Sequence, residues 1–308
     1  MKYLVTGATG FIGVQLCREI IDAGHELLAY SGSGKVLPDG TPTRAVDFTR
    51  EQIDQRVLDS VDGIFHLAGI AHRRAEQDVY QQVNHRAVLA LAQGAKEAGV
   101  GSFVFLSSVK AMGASGSASV RGEADFCPPG DAYGRSKRDA EVAIEHVLAD
   151  ADMRVSMVRP TLVYGEGAKA NLALLASAVQ RGLPRPPEQG ARSMISRDDL
   201  CALMLVLASD AVPGVRTYIA SDGEAYSTRR IYDALREARG MGQGTAWCPT
   251  WAWRLGCTVL DGLGNNVEPA WQRLFGTELY SSAAVQADTA WRPRETLETF
   301  LQRTGGLV

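Results

Sequence analysis

Compact apolar runs and helix-spaced apolar positions alternate through the first two thirds of the chain. Tyr3-Leu4-Val5 is a short buried run that ends on the glycines of residues 7–13. Ile12, Leu16 and Ile20 then recur at the spacing of one helix face, with Cys17 and Ile21 beside them. Gly24 ends that helix, and residues 27–30 predict a second strand. Further buried strands are predicted at residues 63–67, 102–106, 154–158 and 216–220, with helices over 83–98 and 131–149 between them. Strands alternating with helices over this length form βαβ units around a parallel sheet, so the fold class is α/β, a doubly wound Rossmann-type sheet.

The pattern changes after residue 165. Residues 172–179 are helix-like and precede the proline-rich Leu183-Pro184-Arg185-Pro186-Pro187. Asp198 or Asp199 is placed to cap a helix buried through Leu200, Leu203, Met204 and Leu207. Beyond Ser221 a smaller α-rich region carries Trp247, Trp251, Trp253 and Trp271. Its stretch 247–260 is broken by Arg254 and reads as a core or interface helix. There is no repeat, low-complexity tract or flexible linker, so the two halves are expected to pack together.

Composition narrows the partners. The 308 residues hold 32 Lys+Arg against 35 Asp+Glu, a net charge of −3, which supplies no basic field for nucleic acid or anionic membrane. No apolar run reaches the roughly 18–20 residues of a membrane span, and the start, MKYLVTGATGFIG, lacks the pattern of a signal peptide. The five cysteines are scattered with no CxxC, and the five histidines have no metal-ligand spacing, so neither a disulfide framework nor a metal site is expected. These features predict a cytoplasmic globular enzyme.

Candidate chemistry begins at Thr6-Gly7-Ala8-Thr9-Gly10-Phe11-Ile12-Gly13, between a strand and a helix. A dinucleotide pyrophosphate needs that context: Gly7 for a tight turn, Gly10 for close backbone approach, Gly13 for helix–strand packing, and a helix N-terminus for the phosphates. Residues 1–165, completed by about 193–221, are therefore expected to form the dinucleotide unit, and 166–192 with 222–308 the substrate unit. The acid that binds the ribose 2′-hydroxyl of NAD belongs near Ser31, where the chain has Ser31-Gly32-Ser33-Gly34-Lys35. A 2′-phosphate is not repelled there, and Ser31 and Lys35 are placed to receive it, which favours NADP without excluding NAD.

Tyr133 and Lys137 form a YxxxK on a predicted helix, and at i and i+4 they share one face. A phenol titrates near 10, so a Tyr exchanging a proton with a substrate hydroxyl near neutral pH needs a neighbouring cation. Ser108 follows a strand, and ligands in such sheets bind beyond the carboxyl ends of the strands, where Ser108 and Tyr133 can converge on one oxygen.

The G-x-x-G-x-x-G spacing of TGATGFIG resembles the loop of the extended short-chain dehydrogenase/reductases, which include nucleotide-sugar epimerases, dehydratases and ketoreductases. Four further matches carry the resemblance: His66-Leu67-Ala68-Gly69 after a strand, Asn84 opening a helix, Arg159-Pro160 ending a strand, and Asp47-Phe48. It implies cofactor contacts from Gly7, Thr9, Gly10, Phe11, Ile12 and Gly13, from Asp47 and Phe48 at the adenine, from Leu67, Ala68 and Gly69, and from Pro160. It also implies that Ser108, Tyr133 and Lys137 are catalytic, with Lys137 holding the nicotinamide ribose. No carboxylate stands beside Ser108, as the family's dehydratases require. Substrate diphosphate contacts are implied for Asn171 within Lys169-Ala170-Asn171-Leu172, and for Arg192 before Ile195 and Asp199-Leu200. Arg273 and Lys110 are further candidates. The implied substrate is a nucleoside-diphosphate sugar, and the favoured activity is reduction of a UDP-4-keto-6-deoxy-N-acetylhexosamine at C4 in surface-polysaccharide synthesis. The alternatives are a 4-epimerase with retained NAD, the same chemistry on a steroid or other ketone, and a non-catalytic NAD(P)-sensing protein. A homodimer through helices 83–98 and 131–149 is also expected.

Overall fold

The computed structural model describes residues 1–70, 82–114, 118–168, 171–263 and 269–306. Its strands are β1 (Lys2–Thr6), β2 (Glu26–Ser31), β3 (Arg44–Ala45), β4 (Gly63–His66), β5 (Ser102–Leu106), β6 (Val120–Arg121), β7 (Arg154–Pro160), β8 (Leu162–Tyr164), β9 (Ala191–Ser196), β10 (Gly214–Ala220), β11 (Ala225–Tyr226) and β12 (Thr277–Tyr280). Seven of them form one sheet in the order β10-β7-β5-β4-β1-β2-β3, parallel throughout. This is the doubly wound arrangement, with the order reversing between β1 and β4.

Both faces of the sheet are covered, so its strands read as continuous apolar runs and not as alternating ones. On one face α1 (Phe11–Asp22) and a later helix, Arg197–Ser209, bury Leu16, Cys17, Ile20, Leu203 and Leu207. After the short α2 (Gln55–Leu58), the other face is covered by α3 (Ala87–Glu97) and α4 (Ala132–Leu148) through Val88, Leu91, Ala140, Ile144 and Leu148. A π-helical turn, Gln82–Arg86, leads into α3.

A second sheet runs in the order β11-β9-β12-β6 with β8 beside β9, and further helices follow in the second half of the chain. These are α5 (Asn171–Gln180), α6 (the Arg197–Ser209 helix), α7 (Thr228–Ala238), α8 (Thr250–Leu263), α9 (Ala270–Phe275), α10 (Ala283–Asp288) and α11 (Leu297–Arg303). The region beyond Ser221 is thus less purely helical than expected. β11 has two residues and β12 four, too few to print an alternation.

The cap of α6 also differs from expectation. Ser196 is the N-cap, its hydroxyl accepting from the Asp199 amide at 3.0 Å. Asp199 is instead buried, and its carboxylate accepts the amides of Arg294 and Glu295 at 3.0–3.1 Å, tying down the C-terminal segment. In α8 only one face is core: Cys257 is buried and Trp253 packs on Phe275, whereas Trp251 and Leu255 stand in solvent. Among the described residues no helix is long and apolar enough to cross a membrane.

His66 ends β4 inside the sheet with no exposure. The Thr6 hydroxyl accepts from the Ala68 amide at 3.2 Å and is hydrogen-bonded to His66 Nδ1 at 2.8 Å. Burial first, and the Lys137 charge second, push the imidazole down to about 3. The unfolded chain takes up that proton near 6.5, so stability is lost as pH falls through the window from 6.5 towards 3. Replacing His66 by Phe removes the titration while keeping an aromatic ring. Urea unfolding should show wild type losing about 2 kcal/mol more than His66→Phe between pH 7 and pH 5; equal losses would contradict a buried neutral imidazole.

Candidate functional site

The glycine loop sits at the carboxyl end of β1, at the reversal of strand order. Gly7 adopts φ +72°, and a Cβ there would lie 2.8 Å from the Leu67 carbonyl carbon and the Ala68 amide. A Cβ on Gly13 would lie 2.2 Å from the Gly7 carbonyl oxygen, so α1 rests directly on the loop's backbone. Gly10 is the N-cap of α1, with no side chain over the helix end, and Thr9 is exposed beside it. The donors of that first turn and the positive end of the helix dipole are left for an anion. Phe11 and Ile12 are half-buried, with Arg197 over the Phe11 ring at 5.3 Å. These residues fit a dinucleotide pyrophosphate.

The residues expected at the adenine lie along and after β2 and β3. Asp47 accepts from the Thr49 amide and hydroxyl at 3.0 and 2.7 Å, and those bonds lower its carboxyl. Phe48 meets the His66 ring edge-on at 5.7 Å. Ser31 is buried; its hydroxyl accepts from the Gly34 amide at 3.0 Å and bonds Thr43 Oγ1, which itself donates to the Lys35 carbonyl. Ser31 therefore shapes the loop and does not offer its donor outward, while Lys35 is exposed. Gly32 has open space around its α-carbon. The structure adds a cation that strand patterning did not single out. Arg44 pairs in register with Tyr30, donating to its hydroxyl at 3.4 Å at the tip of β2.

Leu67, Ala68 and Gly69 follow β4 and bring the chain from beside the loop to α4. A Cβ on Gly69 would meet Asn84 Oδ1 at 3.1 Å and Lys137 Nζ at 3.3 Å. Asn84, in the π turn, accepts from the Ile70 amide at 2.9 Å and donates to Ser136 Oγ at 3.0 Å, stapling this segment to α4. Asp131 caps α4 by accepting from the Gly134 amide at 2.8 Å. Lys137 is 4% exposed, donates to the Leu106 carbonyl at 2.8 Å and lies 4.7 Å over the Phe105 ring. Burial pulls its ammonium down to about 8, against the upward pull of Glu141.

Tyr133, half-buried, begins the same helix. Its neighbour Gly134 presses on the turn after β5, where a Cβ would lie 2.5 Å from the Lys110 carbonyl oxygen. Ser108 caps that turn (Val109–Met112), accepting from the Lys110 amide at 3.2 Å. The helix bearing Tyr133 and Lys137 is thereby brought against the turn bearing Ser108. Pro160 ends β7, buried, next along the sheet from β5.

The predicted phosphate contacts gather only in part. Lys110 Nζ and Arg192 Nη1 both approach Glu278, at 3.4 and 3.5 Å, and Arg192 Nη2 donates to the Gln272 carbonyl at 2.7 Å. Arg273 is on the same short helix as Gln272, its Nε buried with no acceptor among the described residues. Asn171 is the first residue of α5, and Lys169 and Ala170 lie outside the described residues. Glu278 was not anticipated, because an acid among predicted phosphate ligands runs against the pattern sought. Glu141 was also missed; its signal was a carboxylate at i+4 from Lys137 on the inward face.

A model of the NAD dependent epimerase/dehydratase family matches residues 3–218. The chain is 28% identical over 324 residues to a UDP-glucose 4-epimerase of Vibrio cholerae, covering 98% of this chain and 93% of that one. It is also 28% identical over 332 residues to a 2-alkyl-3-oxoalkanoate reductase of Stenotrophomonas maltophilia, covering 98% of both. Among solved structures, MoeE5 in complex with UDP-glucuronic acid and NAD superposes with a TM-score of 0.77 at 23% identity, over 98% of this chain and 96% of that one. The strand order, the glycine loop and a family match over well more than half of its length agree: the chain belongs to the NAD dependent epimerase/dehydratase family.

Proposed function

We propose that this member of the family reduces the C4 ketone of a UDP-4-keto-6-deoxy-N-acetylhexosamine with NADPH. The observation that carries reduction over epimerisation is the tip of β2, where no acid follows Tyr30 and Arg44 lies alongside with Lys35 exposed nearby. Those cations suit the 2′-phosphate of NADPH, the cofactor that a reductase consumes and must exchange at each turnover. The name of the Stenotrophomonas relative, a ketone reductase, supports the same direction. UDP-sugars in the names of other relatives, and the cations Lys110 and Arg192, support the substrate class.

A nicotinamide dinucleotide on the glycine loop would supply the hydride. The chain's own groups do the rest. Ser108 Oγ donates to the ketone oxygen and fixes its direction. Tyr133 gives its phenolic proton to that oxygen as negative charge develops, and the Lys137 ammonium stabilises the resulting phenolate. The absence of a carboxylate beside Ser108 leaves elimination of water without an acid–base pair. Pairing of two copies through α3 and α4 belongs to the same reading, with Val142 exposed on α4.

The second reading is a 4-epimerase, favoured by the Vibrio relative. One assay separates the two. Purified protein given the UDP-4-keto sugar should oxidise NADPH stoichiometrically; interconversion of UDP-GlcNAc and UDP-GalNAc without NADPH consumption would establish the epimerase instead. Arg44→Ala should raise the NADPH Kd about tenfold or more, as expected for a lost charge-assisted bond, and leave NADH binding unchanged in fluorescence titrations. The chemistry predicts a pH limb. Lys137 loses its proton above about pH 8, so kcat/KM should fall from there upward. Lys137→Met should lose at least about 100-fold and show no such limb; a wild-type profile flat to pH 10 would remove Lys137 from the proton-transfer step.

A further inference from the structure

Arg159 and Glu141 have no part in the chemistry above, yet they form the most deeply buried ion pair described. Glu141 has no exposed surface and Arg159 has 4%. The guanidinium meets the carboxylate two-pronged, Nε to Oε1 at 2.8 Å and Nη2 to Oε2 at 2.7 Å. Ser107 Oγ donates to Oε1 at 2.6 Å, and Arg138 Nη1 to Oε2 at 3.2 Å. One carboxylate thus joins three elements: α4, the end of β5 and the end of β7.

We propose that Glu141 is a positioning residue that sets the rotation and height of the Tyr133–Lys137 face against Ser108. Stability alone does not call for this pair. Apolar side chains of similar volume hold a buried helix as well or better, because two desolvated charges recover little more than their hydration cost. A forked charge pair adds direction, since its two parallel bonds tolerate little twist.

The direction is used where it matters. Glu141 lies one turn beyond Lys137 and two beyond Tyr133, so fixing its azimuth fixes theirs. Ser107 extends the β5–β7 pairing through its amide to the Val158 carbonyl at 2.7 Å, and its side chain turns to Glu141. Ser108, the next residue, then heads the turn that Gly134 packs against. Arg159 also reaches the Glu123 carbonyl at 3.3 Å, and the Glu123 carboxylate accepts from the Ile219 amide at 2.8 Å. The segment carrying Arg121 is tied to the same anchor, and Arg121 lines a cavity of about 300 Å³ together with Glu278 and Tyr280.

Among the described residues, the charged and titratable groups around Lys137 are few. Glu141 and Tyr133 share its helix. His66, on β4, is held neutral, and Lys110, in the turn after β5, approaches Glu278. Arg138 and Arg159 face Glu141 itself. Losing the Glu141 charge therefore leaves Lys137 among unbalanced cations, and its ammonium should release its proton at lower pH.

This inference rests on the proposed roles of Tyr133 and Lys137, and the experiment separates the two. In the full chain, Glu141→Gln should melt as one transition and bind NADPH within about threefold of wild type. Its kcat should fall about 30- to 100-fold with KM nearly unchanged, the cost of a reacting group displaced by an ångström or less. The descending pH limb should move to lower pH, and Glu141→Asp should recover part of kcat. Ser107→Ala, a milder cut in the same network, should lower kcat about fivefold and decides the matter if Glu141→Gln does not fold. The Lys137 Cε signal in ¹³C NMR, assigned with Lys137→Met, reports the titration without turnover and decides alone if no sugar is turned over. Wild-type kcat in either variant, or a Lys137 titration unmoved in Glu141→Gln, overturns the positioning role. Full turnover by Tyr133→Phe would overturn the catalytic reading instead and leaves the NMR result standing.

Discussion

An ammonium group without water has to be held by something, and the site is organised around holding Lys137. Its proton is shared with the Leu106 carbonyl at the end of β5, its charge rests on the Phe105 ring, and Glu141 sits one turn further on. Burial makes the ammonium reluctant, which brings it into the range where a lysine can help a phenol give up and regain a proton. The neighbours comply with that need. His66 is kept neutral, so that no second cation competes, and Gly69 has no side chain to intrude.

The sheet explains why these groups can meet. Strands β1, β4, β5 and β7 lie next to one another, and their carboxyl ends deliver the glycine loop, residues 67–69, Ser107-Ser108 and Arg159-Pro160 to one rim. The helices on one face then add Asn84 and the Tyr133–Lys137 turn. The second sheet closes the opposite side, placing Arg192 and Glu278 in register on β9 and β12 across from Lys110. The candidate catalytic residues thus gather at the rim of the first sheet, and Arg192 and Glu278 face them from the second.

Much of this was legible from residues alone, for stated physical reasons. Strands buried on both faces announce themselves as apolar runs, and the run at residues 102–106 coincides with β5 at both ends. The glycine loop was legible because only glycine tolerates the close approaches at Gly7 and Gly13. Short strands of the second sheet were not, since two to four residues carry no period. The cap of α6 was misassigned because Ser196 and two aspartates all suit the position chemically, and only packing shows that Asp199 is taken up by the C-terminal segment. Ser31 was read as open to the cofactor, but it is folded back into its own loop, while Arg44 reaches the β2 tip from a strand too short to be noticed. The Glu141–Arg159 pair joins residues on different elements, and a one-dimensional pattern does not say that a helix acid and a strand arginine will face each other.

The closeness of Gly7 and Gly13 to their surroundings has a consequence for redesign. A cradle in which added carbon atoms would fall within 3 Å of main-chain atoms leaves no freedom to reshape how pyrophosphate is gripped. The bend after the second strand is roomier, with nothing within 4 Å of a Cβ added at Gly32. A change made at that bend leaves the close-packed backbone of the glycine loop as it is, so the two ends of the same cradle can be altered independently.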